Sequence, residues 1–120
     1  MQDAHTWLLD SGATFHVTPN LEWFSNYAAK TSGTVRLGNR QEGKIMGTRE
    51  VPIQLPNGNT IPLHQVRHVP ALKMSLVSIE MLAEDGFKMA LNESTWMIIQ
   101  GNLRIGSVHK YEQLVPTHGD

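Results

Sequence analysis

The chain has 120 residues, which is the size of one domain and too short for a two-lobed enzyme. Hydrophobic residues make up 40% and charged residues 18%, a balance that folds rather than staying disordered. Formal net charge is −1, from 10 basic and 11 acidic residues, which argues against tight binding to a phosphate backbone. The absence of cysteine excludes disulfides, thiolate nucleophiles and iron–sulfur ligation. No apolar run is long enough to suggest a membrane helix. Met1 to His5 lacks the basic and apolar regions of a signal peptide. One soluble intracellular domain over 1–120 is the expectation, with its core at about 5–115 and a frayed tail at 116–120.

In chain order, Trp7-Leu8-Leu9 is a short apolar run stopped by Asp10-Ser11-Gly12. Phe15 to Thr18 has strand character and ends at Pro19-Asn20. Leu21 to Phe24 reads as one helical turn capped by Asn20, and 27–33 as loop. Thr34 to Gly38 and Gly43 to Gly47 form a hairpin with the polar tip Asn39-Arg40-Gln41-Glu42. Val51 to Leu55 and Ile61 to Val69 flank Asn57-Gly58, a strong hairpin signal. Pro52 and Pro62 each lack a ladder donor, so they belong at edges or away from a partner.

A single good helix begins at the cap Ser78, carries Ile79, Leu82 and Ala83 at helical spacing, and stops at Gly86. Strands follow at 87–91, 95–99 and 103–106, then a last one at 111–115. The class is mainly β with one short helix.

The chemistry centres on Asp10-Ser11-Gly12-Ala13-Thr14. A carboxylate placed at a strand end beside the core has a pKa that desolvation can raise. Gly12 permits the turn and close approach of another main chain. The Ser11 hydroxyl can donate and accept, so it can brace a neighbouring backbone. Taken alone, the tripeptide is also compatible with an ordinary turn.

Two blocks together carry a resemblance. Trp7 to Thr14, with His16 and Thr18, forms one; Val66 to Ser78, continuing to Gly86-Phe87, forms the other. In this order they resemble the retropepsins, the aspartic proteases of retroviruses and retrotransposons, and most of all the copia-type branch. The resemblance covers about residues 5–115. Ser11 replaces the threonine of many relatives, Ser78 replaces a glycine, and the hairpin tip is poorer in glycine. A strand hairpin that viral relatives carry before the catalytic loop is lacking, and Thr95 to Ile105 is a candidate substitute.

The resemblance implies a retropepsin-like acid-protease fold: a closed β-barrel with a flap hairpin and one short C-terminal helix, acting as half of a symmetric dimer. It implies an aspartic endopeptidase that cleaves Gag and Gag-Pol polyprotein, including its own release. Asp10 would be catalytic. Ser11, Gly12, Ala13 and Thr14 would support the loop, with Ser11 bracing it across the dimer. Leu37, Gly38, Asn39, Arg40, Gln41, Glu42 and Gly43 would be the substrate-binding flap. Leu76, Val77 and Ser78 would lie near the site.

Asp3, Asp85 and Asp120 lack the setting of Asp10, so the second carboxylate comes from a second copy of the chain. No cofactor and no metal are expected. The partners are a homodimer mate and a polypeptide substrate, with no direct nucleic-acid or membrane contact. The expected location is the cytoplasm, within virus-like particles. Two other readings stand beside this one: an inactive, domesticated module of the same fold that dimerises or binds peptides, and an unrelated small β-barrel.

The six histidines invite a metal reading, with His64 and His68 placed on one strand face and His5 and His16 flanking the motif. No acidic or cysteine partner has ligand spacing, so structural or surface roles are expected. Trp7, Trp23 and Trp96 read as core or dimer anchors. Arg36, Arg40, Lys44 and Arg49 make the hairpin basic, either as a solvated face or to select acidic substrate residues.

Overall fold

The computed structural model describes residues 6–29, 33–36 and 42–114. The strands are β1 (Trp7–Asp10), β2 (Val17–Thr18), β3 (Ser25–Ala29), β4 (Thr34–Arg36), β5 (Glu42–Lys44) and β6 (Gly47–Gln54). They continue with β7 (Thr60–His68), β8 (Ser75–Ser78), β9 (Phe87–Asn92), β10 (Thr95–Gln100), β11 (Leu103–His109) and β12 (Gln113–Leu114). One helix, α1 (Ile79–Glu84), follows β8, and a 3₁₀ turn spans Leu21–Trp23.

Seven strands form one mixed sheet in the order β12-β1-β8-β2-β7-β6-β3. β9, β10 and β11 form a separate antiparallel meander, and β4 pairs with β5 alone. β1 runs parallel to β8, and β2 runs parallel to β7 while also touching β8 antiparallel.

The expected closed barrel is not found among the described residues. The seven-stranded sheet ends at β12 and β3, and the meander keeps its ladder bonds to itself. Nor is the helix C-terminal, since four strands follow it.

The β6–β7 hairpin forms where alternation is cleanest. Val51, Ile53, Leu55, Ile61 and Leu63 all point inward and are buried. Leu55 N–H donates to the Asn59 carbonyl at 2.7 Å, closing the Asn57-Gly58 turn. Pro52 and Pro62 are direct partners, and the third strands pair only at Glu50 and beyond or at Arg67 and beyond, so both prolines lie where the hairpin is two-stranded.

Gln65 adopts φ 57° and forms a bulge, with two residues of β7 set against one of β6 between the Val51–Leu63 and Arg49–Val66 pairs. The bulge reverses the alternation. His64 therefore shares the outer face with Pro62, while His68 is buried on the other face. The two histidines do not converge, which corrects the expectation that they share one.

Three further differences have local causes. Tyr27 to Ala29, expected as loop, belong to the strand Ser25–Ala29, which lacks apolar alternation but pairs with β6. Asn20 precedes the 3₁₀ turn without capping it through its side chain. Its amide instead reaches Thr18 Oγ1 at 3.3 Å and Ser75 Oγ at 3.5 Å. The Thr95–Ile105 hairpin does not pair with β1, whose outer edge is taken by β12, although Ile98 and Val108 share a core cluster with Trp7 and Leu9.

That main cluster also holds Trp23, Val66, Val77, Leu82 and Phe87. Each buried aliphatic side chain contributes about 1.5–3 kcal/mol. Trp7 and Trp23 pack with ring centroids 5.4 Å apart, as core anchors. A second cluster of Val17, Ile45 and Val69, with Val35, Leu72 and Leu76 against it, lies under the β4–β5 hairpin.

Candidate functional site

Asp10 is the last residue of β1, paired in parallel register with Ser78 of β8. The chain then turns sharply. Gly12 N–H donates to Asp10 Oδ1 at 2.8 Å, and Ala13 N–H reaches the Asp10 carbonyl at 3.4 Å. A side chain at Gly12 would stand 3.3 Å from the same carboxylate oxygen, so glycine leaves the Asp10 face clear.

The turn is held from beneath by two buried side chains. Ser78 Oγ donates to the Ala13 carbonyl at 2.8 Å and accepts from Met81 N–H at 3.0 Å, capping α1. His16 is fully buried, and its Nδ1 accepts from Ser78 N–H at 2.9 Å. The ring proton of the neutral imidazole is thereby assigned to Nε2. That atom is buried without a hydrogen-bond partner among the described residues. Burial, with His64 adding to it, pushes His16 down to a pKa of about 4. Next to this pair, Thr18 Oγ1 and Ser75 Oγ lie 2.7 Å apart and join β2 to β8.

Asp10 opens onto a cavity of about 490 Å³. Gly12, Ala13, Thr14 and Phe15 form one side, Thr34, Val35 and Arg36 of β4 another, and Val17, Arg67, Leu72 and Leu76 the rest. The hairpin base thus faces the Asp10 turn across an apolar floor. Two other cavities, of about 540 and 760 Å³, lie beside His64 and the exposed Asp85. Those are polar grooves without the second apolar cluster beneath them.

Of the anticipated residues, Asp10, Gly12, Ala13, Thr14 and Leu76 come together at this cavity. Ser11 is exposed and outside its lining, Val77 is in the main core, and Ser78 supports the turn from below. Leu37, Gly38, Asn39, Arg40 and Gln41 lie outside the described residues, as do His5 and the tail at 116–120. Glu42 is exposed and accepts from Thr34 Oγ1 at 3.3 Å, and Gly43 is buried. Sequence reasoning missed Phe15, Leu72 and Arg67 as lining residues. The signal for Arg67 was a lone cation between buried Val66 and His68. Among the described residues no cluster of three or more potential ligands could hold a metal ion.

Such a β-rich domain, with a turn-held aspartate over an apolar floor, has relatives among mobile elements. Residues 7–87 match the family described as "Pol polyprotein, beta-barrel domain", and the chain belongs to that family. Over 99 residues, 82% of this chain, it is 37% identical to the retrovirus-related Pol polyprotein from transposon TNT 1-94 of Nicotiana tabacum. The match spans 8% of that much longer polyprotein. No solved structure matches.

Proposed function

We propose that the chain is the aspartic endopeptidase of a copia-type retrotransposon, built on a retropepsin-like half-site and active as a homodimer. The observation that carries this reading is Asp10 itself. Among the described residues it is the one carboxylate in the lining of the cavity that holds Val17, Val35, Leu72 and Leu76, and a backbone donor fixes it at the end of β1.

One carboxylate is half of an aspartic dyad. With a second copy across a two-fold axis, two Asp10 side chains share one proton, because like charges so close cannot both ionise. The ionised partner removes a proton from water as the oxygen attacks the scissile carbonyl, and the protonated partner donates to the carbonyl oxygen. Collapse of the tetrahedral intermediate then passes a proton to the leaving nitrogen.

Ser11, exposed beside Asp10, is free to brace the opposing loop. The β4–β5 hairpin is the flap base that excludes water from the cavity. The substrate is an extended polypeptide lying between hairpin and floor, with large apolar residues against Val35, Leu72 and Leu76. Gag and Gag-Pol polyprotein, including the junctions flanking this chain, are the natural substrates, and the cytoplasm, within virus-like particles, is the place.

The test is incubation of the purified chain with a polyprotein spanning its own flanking junctions, with and without pepstatin, beside Asp10→Asn. Cleavage lost in both controls supports the protease. A stable dimer that never cleaves points instead to an inactive peptide-binding module of the same fold.

A further inference from the structure

The cavity over Asp10 carries more positive than negative charge. Its lining holds one carboxylate, Asp10, and two guanidinium groups, Arg36 and Arg67. Arg36 ends β4 on the hairpin side, and Arg67 comes from β7 on the floor side.

Arg67 is fixed more firmly than a surface arginine. Its backbone pairs with Val17 on one side and Thr48 on the other, and its N–H donates to the His16 carbonyl at 2.9 Å. The guanidinium lies 3.3 Å from the centroid of the Phe15 ring. Cation–π attraction at this distance holds the group in place, and an arginine so held can offer its N–H fork to a planar, bidentate acceptor. Among the described residues His64 Nδ1 lies 2.7 Å from Glu50 Oε2, and no carboxylate oxygen forms a salt bridge with Arg67 or with Arg36, although Glu42 is the cross-strand neighbour of Arg36. Burial lowers the Arg67 pKa, a sign that the group is partly stripped of water. A partly desolvated cation without a counter-ion favours an anionic ligand, and charge-assisted bonds to it are strong.

We infer that Arg67, seconded by Arg36, reads a carboxylate side chain of the substrate, so the preferred polypeptide carries Asp or Glu close to its scissile bond. This rests on the protease reading of the same cavity. The acidic side chain lies along the Arg67 edge, and its apolar neighbours lie on Leu72 and Leu76. Arg67 is thus a specificity-determining residue, separate from the Asp10 chemistry.

The probes are eight fluorescein-labelled octapeptides of Ala, Leu and Phe, each with a single Glu at a successive position, and their eight Gln counterparts. Binding is followed by fluorescence anisotropy with the full chain carrying Asp10→Asn, which cannot consume the peptide. In at least one register the Glu peptide is expected to bind about tenfold more tightly than its Gln twin. Adding Arg67→Met should reduce that ratio to about twofold or less, and Arg67→Lys should keep part of it. Arg36→Met, at an exposed site that does not support the core, should reduce it by a smaller factor.

Equal binding of Glu and Gln peptides in every register, no binding in any, or a ratio untouched by both Met variants would overturn the inference. Circular dichroism identifies a variant that has merely unfolded. Cleavage of the same peptides by the unsubstituted chain scores the protease reading separately. Cleavage without Glu preference overturns this inference and leaves the protease, whereas Glu-selective binding without cleavage overturns the protease reading and leaves Arg67 as a reader of acidic peptides.

Discussion

The Ser78 hydroxyl and the Ala13 carbonyl, 65 residues apart in sequence, are joined by a 2.8 Å hydrogen bond. The same oxygen caps α1 by accepting from Met81 N–H. One buried side chain therefore ties the turn after Asp10 to the start of the helix. Ser78→Ala removes both bonds and leaves the Ala13 carbonyl without this donor. A loss of about 2 kcal/mol in unfolding free energy is expected, from a lost cap and a lost hydrogen bond. Urea denaturation measures it, and a loss below about 0.5 kcal/mol would contradict this account of the bond.

Acid should act on the fold through His16. Its folded pKa, about 4, lies below the ordinary 6.5, so between these values the unfolded chain binds the proton that the folded chain refuses. Stability is then full above about pH 6.5, falls as pH drops, and reaches its lower plateau below about pH 4. The shift corresponds to a loss on the order of 3 kcal/mol. Burial also lowers His68, against opposing contributions from the Pro19 backbone and Glu22, so it adds in the same direction. Comparing unfolding free energies at pH 4.5 and 7 for the chain and for His16→Gln isolates the His16 part. The variant should show the shallower dependence.

If each site needs one Asp10 from each of two chains, an inactive chain should poison an active one. Asp10→Asn keeps an oxygen able to accept from Gly12 N–H, so fold and dimer should persist. Refolding equal amounts of the two forms together should leave about a quarter of the activity of the same total amount of active chain, since random pairing makes only that share of fully active dimers. Activity proportional to the active chain, about one half, would mean a site complete within one copy.

A side chain at Gly47 would overlap the Tyr27 hydroxyl and ring. Tyr27 in turn meets His68 Nδ1 at 2.9 Å. Gly47→Ala should cost about 1–3 kcal/mol through overpacking. In a Tyr27→Ala background the same change should cost much less. A double-mutant cycle by thermal or urea unfolding reads the coupling directly.

Alternation and turn chemistry made much of the fold legible. The β6–β7 hairpin follows from its alternating apolar residues and Asn57-Gly58, and α1 lies where Ser78 and Gly86 bracket it. The Asp10 turn was legible for the same reason, as a polar stop after an apolar run. What escaped depends on partners distant in sequence. Ser25–Ala29 is strand because β6 offers an edge, and its own residues announce nothing. The Gln65 bulge changes which face every later residue of β7 presents, so His64 and His68 part company. Arg67 reaches the cavity because β2 brings Phe15 beneath it, a neighbour no local pattern reveals.

The order in which the chain is made sets when the aspartate is assembled. Both neighbours of β1 are synthesised long after it: β8 lies on one edge and β12 on the other. A nascent chain leaving the ribosome therefore holds Asp10 on an unpaired strand until β8 has emerged, and on a strand with one open edge until β12 follows. Non-local pairings of this kind close slowly. Translation of the domain thus supplies its own delay: if the proposed protease reading holds, self-cleavage waits until the strands that flank β1 are free to fold back onto it.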